Sequence, residues 1–142
     1  MKLDTKILYE LIEIPPVHTA KETADVLGCK LEMILKSMMV FDSSNSNNIA
    51  LIVIPGHKNI NFDRVNQVCN FEKSRFYPKD KILQTTGFKI GTLPPFGYSS
   101  EIQVCYDRDI LLNDVVYAGS GDAGYLIKFN PRDLEQSAFR EL

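Results

Sequence analysis

The amino-acid sequence predicts a single α+β, or mixed α/β, domain over residues 1–142. Strand-like apolar runs alternate along the chain with short helix-like segments, and no linker, internal repeat or low-complexity tail separates them. The composition is 44% hydrophobic and 24% charged, which is ordinary for a soluble globular protein. A chain of this length buries enough surface to form a core without disulfide bonds or bound metal.

The most informative element is a strand predicted over residues 34–41. Side chains of a strand alternate between its two faces, and both faces are largely apolar here, which predicts a central strand covered on both sides. Lys36 interrupts one of these faces. Its ammonium must either reach water along its stem or lie in a pocket that provides a partner. The local pattern favours the first alternative, and the glycine- and proline-rich residues 87–97 favour the second.

Four further strands are predicted from apolar runs or alternating polarity. They cover residues 49–54, 101–107, 115–118 and 125–129, and residues 71–77 hold an ambiguous short candidate. The polar residues between the first two strands should form a surface loop, so these two strands are expected to pair. A glycine-rich turn between the last two strands predicts a hairpin.

Helix signals occur in five places. Apolar residues at helical spacing predict a helix over residues 4–13. Thr19 and Glu22 form a capping box for a helix that ends at Leu27, before Gly28. Three more helices begin at typical cap or first-turn positions, namely residues 62–70 after Asn61, a short helix from Pro78 to Gln84, and a helix after Asn130 with Pro131 in its first position.

The charge and cysteine content narrow the function classes. A net charge of −2 argues against a broad nucleic-acid groove, although it permits a grip on one short nucleic-acid end. Cys29, Cys69 and Cys105 form no CxxC motif and are odd in number, which predicts reduced thiols and a cytoplasmic location. Without a signal-like leader or a long apolar run, we expect a soluble protein with no membrane partner. No metal or organic cofactor is indicated.

Residues 87–97 have the composition of a rigid loop. Gly91 and Gly97 permit backbone angles that other residues resist, while Pro94 and Pro95 stiffen the chain between them. Such a loop can hold backbone amides in one orientation toward a carbonyl or a developing oxyanion. The alternative is a stiff turn between a helix and a strand, which is the safer interpretation of the composition alone.

Other polar residues give weaker signals. Ser120 lies between two glycines, which is more typical of a hairpin tip than of a nucleophile, because no base accompanies it. His18 and His57 lack metal-ligand spacing, so a surface or turn role is preferred for both. Asp107 at a strand end is equally consistent with a site acid and with a residue that starts a turn.

Taken in order, these segments resemble the YbaK-like aminoacyl-tRNA deacylases, which share a fold with the inserted editing domain of bacterial prolyl-tRNA synthetases. The resemblance covers roughly residues 14–136. It is carried by residues 17–19, the helix ending at Gly28, Ile34-Leu35-Lys36-Ser37, the Gly-x-x-x-Pro motif from Gly91 to Pro95 within residues 86–97, Asp107, and residues 116–121 and 127–134. It implies a mixed, mostly antiparallel curved sheet or barrel surrounded by short helices.

The resemblance also implies an activity, the hydrolysis of the ester bond in mischarged tRNA. The implied substrate is chiefly the tRNA for proline carrying cysteine, alanine or another small residue, and water is the nucleophile. The implied catalytic residues are Lys36, Gly91 and Pro95. The implied substrate-binding residues are Thr19, Thr92, Leu93, Pro94, Asp107, Gly119, Ser120 and Gly121.

Two features limit what the resemblance transfers. Pro94 stands before Pro95 where the family has serine or another small residue, which narrows the loop. Some relatives have a histidine in the closing hairpin, whereas this chain has Gly119-Ser120-Gly121, so the specificity of that subgroup is not carried over.

A non-catalytic module of the same fold, which holds an aminoacyl-tRNA end or a protein partner, is the competing hypothesis. For the enzyme, the expected partners are the CCA end of aminoacyl-tRNA and a candidate synthetase, and the expected state is a monomer or a weak dimer.

Overall fold

The computed structural model describes residues 6–136 and 140–142. Within these residues, seven strands form two sheets and three α-helices surround them. The strands are β1 (Glu10–Glu13), β2 (Leu35–Asp42), β3 (Asn45–Pro55), β4 (Ser74–Phe76), β5 (Ile102–Tyr106), β6 (Val116–Gly119) and β7 (Tyr125–Phe129). The helices are α1 (Ala20–Leu27), α2 (Phe62–Cys69) and α3 (Ile82–Thr86), with 3-10 helices at Leu31–Met33, Lys79–Lys81, Arg108–Leu112 and Pro131–Gln136.

The larger sheet has the strand order β4-β2-β3-β5, and the smaller sheet has the order β1-β7-β6. All neighbouring strands are antiparallel except β3 and β5, which run parallel. A bridge between Ile34 and Tyr117 links the start of β2 to β6. The predicted α+β domain with a mixed, mostly antiparallel sheet is therefore confirmed.

The core lies on both faces of the larger sheet. On one face, Leu35, Met39 and Leu51 belong to a buried cluster that includes Ala118 and Ile127 of the smaller sheet. On the other face, a second cluster packs against α2 and contains Val40, Ala50, Ile52, Ile54, Val65, Cys69, Phe71 and Cys105. β2 is thus central and covered on both sides, as its sequence predicts.

The helix predicted over residues 4–13 is wrong for the described residues of that segment. Residues 4 and 5 lie outside the described part of the chain, and β1 occupies Glu10–Glu13. Leu11 lies opposite Ile127 of β7, so β1 gains a ladder of main-chain hydrogen bonds at the edge of the smaller sheet. Because tertiary pairing outweighs the weak preference of one short segment, the helical spacing of its apolar residues misleads.

Most other boundaries agree with the sequence. The Thr19 hydroxyl accepts the N–H of Glu22 at 3.1 Å, and Gly28 ends α1 with a φ of 66°. Three differences remain. The short helix predicted from Pro78 to Gln84 is a 3-10 turn at Lys79–Lys81 followed by α3, which runs to Thr86. β3 begins at Asn45 rather than Ile49, because the hairpin ladder with β2 extends into the polar residues. The last helix is a 3-10 helix in its described part, Pro131–Gln136.

In the described ranges, no helix is long and apolar enough to cross a membrane.

Candidate functional site

A cavity of about 620 Å³ is bordered by both sheets, the start of α1 and the loop before β5. The start of β2 contributes Lys36, and residues 91–93 contribute part of the loop. Apolar side chains supply much of the remaining wall, namely Ile14, Val17, Leu31, Ile34, Leu35, Met38, Leu93, Ala118 and Leu126. A concave, largely apolar cavity with a few polar groups is the usual form of a small-ligand site.

Lys36 is the cation on the β2 wall of this cavity. Its ammonium donates a hydrogen bond to the main-chain carbonyl of Lys58, and within the described residues it forms no ion pair. Partial burial lowers the pKa of Lys36, because removal from water disfavours the charged form. The ammonium therefore has one neutral partner and unused donors, and it can meet a negative or polar group of a ligand.

An ion-pair cluster lies directly behind Lys36. The Lys58 ammonium is 3.1 Å from Oδ2 of Asp107 and 2.6 Å from Oδ2 of Asp109. The hydrogen bond from Lys58 to Asp109, together with both carboxylates, raises the pKa of Lys58. Asp107 also accepts the N–H of Asp109 at 2.8 Å, which caps the following 3-10 helix. Asp107 thus starts a turn and anchors the segment whose carbonyl contacts Lys36.

The loop at residues 91–95 contributes main-chain donors to the same cavity. Gly91 has a φ of 85°, and the Thr92 N–H donates to the Lys89 carbonyl at 3.1 Å. Among the described residues, the N–H groups of Gly91 and Leu93 have no acceptor, and both residues line the cavity. Pro94 and Pro95 have no N–H. Two donors of this loop are therefore available to a ligand carbonyl.

Gly119 at the end of β6 lets the loop pack closely against the smaller sheet. A Cβ atom at this position would lie 2.5 Å from the Leu93 carbonyl oxygen and 2.8 Å from the Thr92 carbonyl oxygen. Gly121 adds a hydrogen bond from its N–H to the Thr92 carbonyl at 2.8 Å. The hairpin between β6 and β7 therefore fixes the loop from behind.

Replacing Gly119 by Ala is expected to destabilise the protein by about 2 kcal/mol, because the new methyl group meets backbone atoms that must move. Denaturant unfolding measures the change. Gly124→Ala is the matched control in the same hairpin, since its Cβ would approach only Asp122 Oδ1, at 3.7 Å. Equal stability of the two variants would show that the loop does not need the space at Gly119.

The structure brings six of the predicted site residues to one cavity. These are Thr19, Lys36, Gly91, Thr92, Leu93 and Gly119. Pro94, Pro95, Asp107, Ser120 and Gly121 are not among the lining residues. Ser120 is fully buried, and its hydroxyl donates to the Tyr125 carbonyl at 2.7 Å, so it stabilises the hairpin behind the wall.

Several residues near the cavity are missing from the sequence prediction. Ser37 lines it, and its buried hydroxyl has no hydrogen-bond partner in the described part of the chain. His18 also lines it, although its sequence context favours a surface or turn role. Lys58 contributes a main-chain carbonyl, which no side-chain pattern could reveal. In residues 6–136 and 140–142, no three His, Cys, Asp or Glu residues are grouped to hold a metal ion.

The fold and the cavity define a class of protein, an α+β domain that places a lysine and a Gly-x-x-x-Pro loop on one apolar pocket. Residues 14–136 match the family model described as the aminoacyl-tRNA editing domain. The chain therefore belongs to the aminoacyl-tRNA editing domain family, and the resemblance found in the sequence is confirmed.

Individual relatives agree with this assignment. The chain is 31% identical over 130 residues to a proline–tRNA ligase of Staphylococcus saprophyticus, covering 90% of this chain and 22% of the ligase. It is 26% identical over 124 residues to the uncharacterized protein YwhH of Bacillus subtilis, covering 87% and 77% of the two chains. A crystal structure described as "a putative trans-editing enzyme for prolyl tRNA synthetase" shares the fold, with a TM-score of 0.82, 23% identity and coverage of 94% and 84%.

Proposed function

We propose that this domain hydrolyses the ester bond of mischarged tRNA, with the tRNA for proline carrying alanine, cysteine or another small residue as the substrate. The family and the similarity to a proline–tRNA ligase support this substrate class. The observation that carries the proposal is the cavity itself. It is lined by Lys36, which forms no ion pair within the described residues, and by Gly91 and Leu93, whose N–H groups have no acceptor in the same part of the chain.

In the proposed mechanism, water attacks the carbonyl carbon of the aminoacyl ester. The N–H groups of Gly91 and Leu93 donate to the carbonyl oxygen as it becomes an oxyanion, which lowers the barrier because the donors are already in position. The Lys36 ammonium holds the substrate electrostatically near its ester or terminal phosphate. The bond between the carbonyl carbon and the ribose oxygen then breaks, the ribose oxygen takes the proton that the attacking water gives up, and the free amino acid and uncharged tRNA leave.

The neighbouring hydroxyl of the terminal ribose would orient the attacking water in this mechanism. Such substrate assistance accounts for a site whose lining contains no cysteine. The three thiols lie elsewhere. Cys69 and Cys105 are buried between α2 and the larger sheet with their Sγ atoms 3.6 Å apart, and burial raises the pKa of the Cys29 thiol.

Replacing Cys29, Cys69 and Cys105 together by alanine is expected to leave aminoacyl release within about fivefold of the wild-type rate, because no thiol takes part in the chemistry. Release of labelled amino acid measures this, and a thermal melt checks the fold. If one single replacement abolished release without unfolding the protein, a covalent thiol mechanism would take the place of attack by water.

The proposed partner is the CCA end of the tRNA, with a synthetase that delivers it. A net charge of −2 fits a grip on one end better than a grip along the acceptor stem. We propose that the domain acts as a monomer or a weak dimer in the cytoplasm, where tRNA is charged.

The test is an aminoacyl-release assay over a panel of tRNAs charged with correct and incorrect amino acids. The proposal predicts release of alanine or cysteine from proline tRNA and little release of proline. Binding of these tRNAs without release of any amino acid would instead support the competing hypothesis, a non-catalytic binding module. Failure both to bind and to release would contradict both hypotheses.

A further inference from the structure

Two tyrosines outside the cavity lining hold the proline end of the loop. The Tyr98 hydroxyl donates to the Pro94 carbonyl at 2.7 Å, and the Tyr106 hydroxyl donates to the Pro95 carbonyl at 2.8 Å. Tyr106 is a buried residue at the end of β5, with 4% of its surface exposed. Consecutive main-chain carbonyls of the loop are therefore tied to two different side chains.

These carbonyls are the available points of attachment for this part of the loop. Proline has no N–H, so Pro94 and Pro95 can be fixed by hydrogen bonds only through their oxygen atoms. Leu93, which directly precedes them, carries one of the two N–H groups of this loop that have no acceptor among the described residues. Only the Leu93–Pro94 peptide unit separates the unit that contains the Leu93 N–H from the unit that contains the Pro94 carbonyl. That intervening unit is planar, and the proline ring fixes φ at Pro94, so a shift of the Pro94 carbonyl would be passed on to the orientation of the Leu93 N–H.

The two phenols remain donors at any working pH. Burial raises the pKa of Tyr98 and of Tyr106 above the ordinary tyrosine value. Each hydroxyl therefore keeps its proton, and the attachment of the loop does not depend on pH in the range where tRNA esters are handled.

We propose that Tyr98 and Tyr106 are positioning residues that aim the Leu93 N–H at the ester carbonyl by fixing the Pro94 and Pro95 carbonyls. This inference rests on the proposed function for its substrate. Neither tyrosine contacts the ester. Their effect falls on the transition state, because misplacing a preorganised donor costs more there than in the ground state.

Replacing Tyr106 by Phe is expected to lower kcat for aminoacyl release about tenfold and to change KM less than about twofold. Tyr98→Phe should show the same pattern, and it disturbs the core less because Tyr98 is only half-buried. Tyr77→Phe is the matched control, since its hydroxyl bonds to Thr85 at 2.8 Å, away from the loop. The control should leave both constants unchanged.

Amide hydrogen exchange gives a second readout that a general loss of stability would not reproduce. The Gly121 N–H donates to the Thr92 carbonyl, which belongs to the same peptide unit as the Leu93 N–H. Exchange at Gly121 should accelerate in Tyr106→Phe and Tyr98→Phe, while exchange at β3 amides such as Ile52 stays at the wild-type rate. If the wild type is active and both tyrosine variants keep its kcat and KM, the positioning role is overturned, while the proposed function stands. If the wild type releases no amino acid from any tRNA, the proposed function is overturned. Unchanged exchange at Gly121 in both variants would separately show that the phenols do not hold the loop.

Discussion

Lys36→Ala is expected to lower the single-turnover rate of aminoacyl release about 1,000-fold while the protein stays folded. The substitution removes the ammonium of a residue that lines the cavity and leaves the Lys58 carbonyl without this donor. The charge acts in a site that is partly withdrawn from water, where an electrostatic contact with the substrate is stronger than at the surface. The measurement is the release of labelled alanine from mischarged proline tRNA, with enzyme in excess.

The stability of this variant should change by less than about 1 kcal/mol, because the lost hydrogen bond and the relieved desolvation of the ammonium oppose each other. Lys30→Ala is the matched control, since it removes the same charge from an exposed residue that is not among the lining residues. It should keep full activity. Wild-type activity in Lys36→Ala would contradict the catalytic assignment, and global unfolding of this variant would indicate a structural role for the lysine.

Gly91→Ala is expected to lower the turnover rate about 100-fold and to weaken binding of a non-hydrolysable substrate analogue less than that. The cause is backbone strain rather than a clash, since Gly91 has a φ of 85° and its Cβ would meet nothing within 4 Å. To relieve the strain the peptide must rotate, which moves its N–H away from the developing oxyanion. Single-turnover kinetics and a titration with the analogue measure the two effects.

Gly28→Ala provides the matched control for this strain. Gly28 also has a positive φ, of 66°, and its Cβ would also meet nothing within 4 Å, but it ends α1 and is not among the lining residues. It should lose about 1 kcal/mol of stability and no activity. Equal losses of rate and affinity in Gly91→Ala would make the loop a ground-state binder. If Gly91→Ala lost neither rate nor affinity, the loop would have only the structural role of a stiff turn.

The parts of the fold that are predictable from sequence are those determined locally. β2 and β3 are apolar over most of their length because they are covered on both faces, and Thr19 and Gly28 define α1 through contacts within one turn. The strand at Glu10–Glu13 is different, because it exists only through pairing with β7, more than a hundred residues along the chain. A local pattern contains no information about such a partner.

The candidate site also combines features that are visible in the local sequence with features that depend on distant parts of the chain. Glycines and prolines at residues 91–95 indicate a rigid loop, and Lys36 stands out as a cation on an apolar strand. The surroundings that define their roles are not local. Gly119 matters because a distant loop passes within van der Waals distance, and Asp107 matters through the Lys58 segment that it anchors. Only the folded chain brings these residues behind the cavity wall.

The binding and cleavage of the ester in this cavity are tested most directly with an amide-linked analogue of alanylated terminal adenosine, which this protein is not expected to hydrolyse. It is titrated into wild-type protein while the rate of alanine release from mischarged proline tRNA and the amide signals of Gly91 and Leu93 are recorded. If the ester binds and is cleaved in this cavity, inhibition and the shifts of these two amide signals will follow the same dissociation constant. Binding that shifts other amides, or that leaves the release of alanine uninhibited, would contradict the claim that this cavity binds and cleaves the ester.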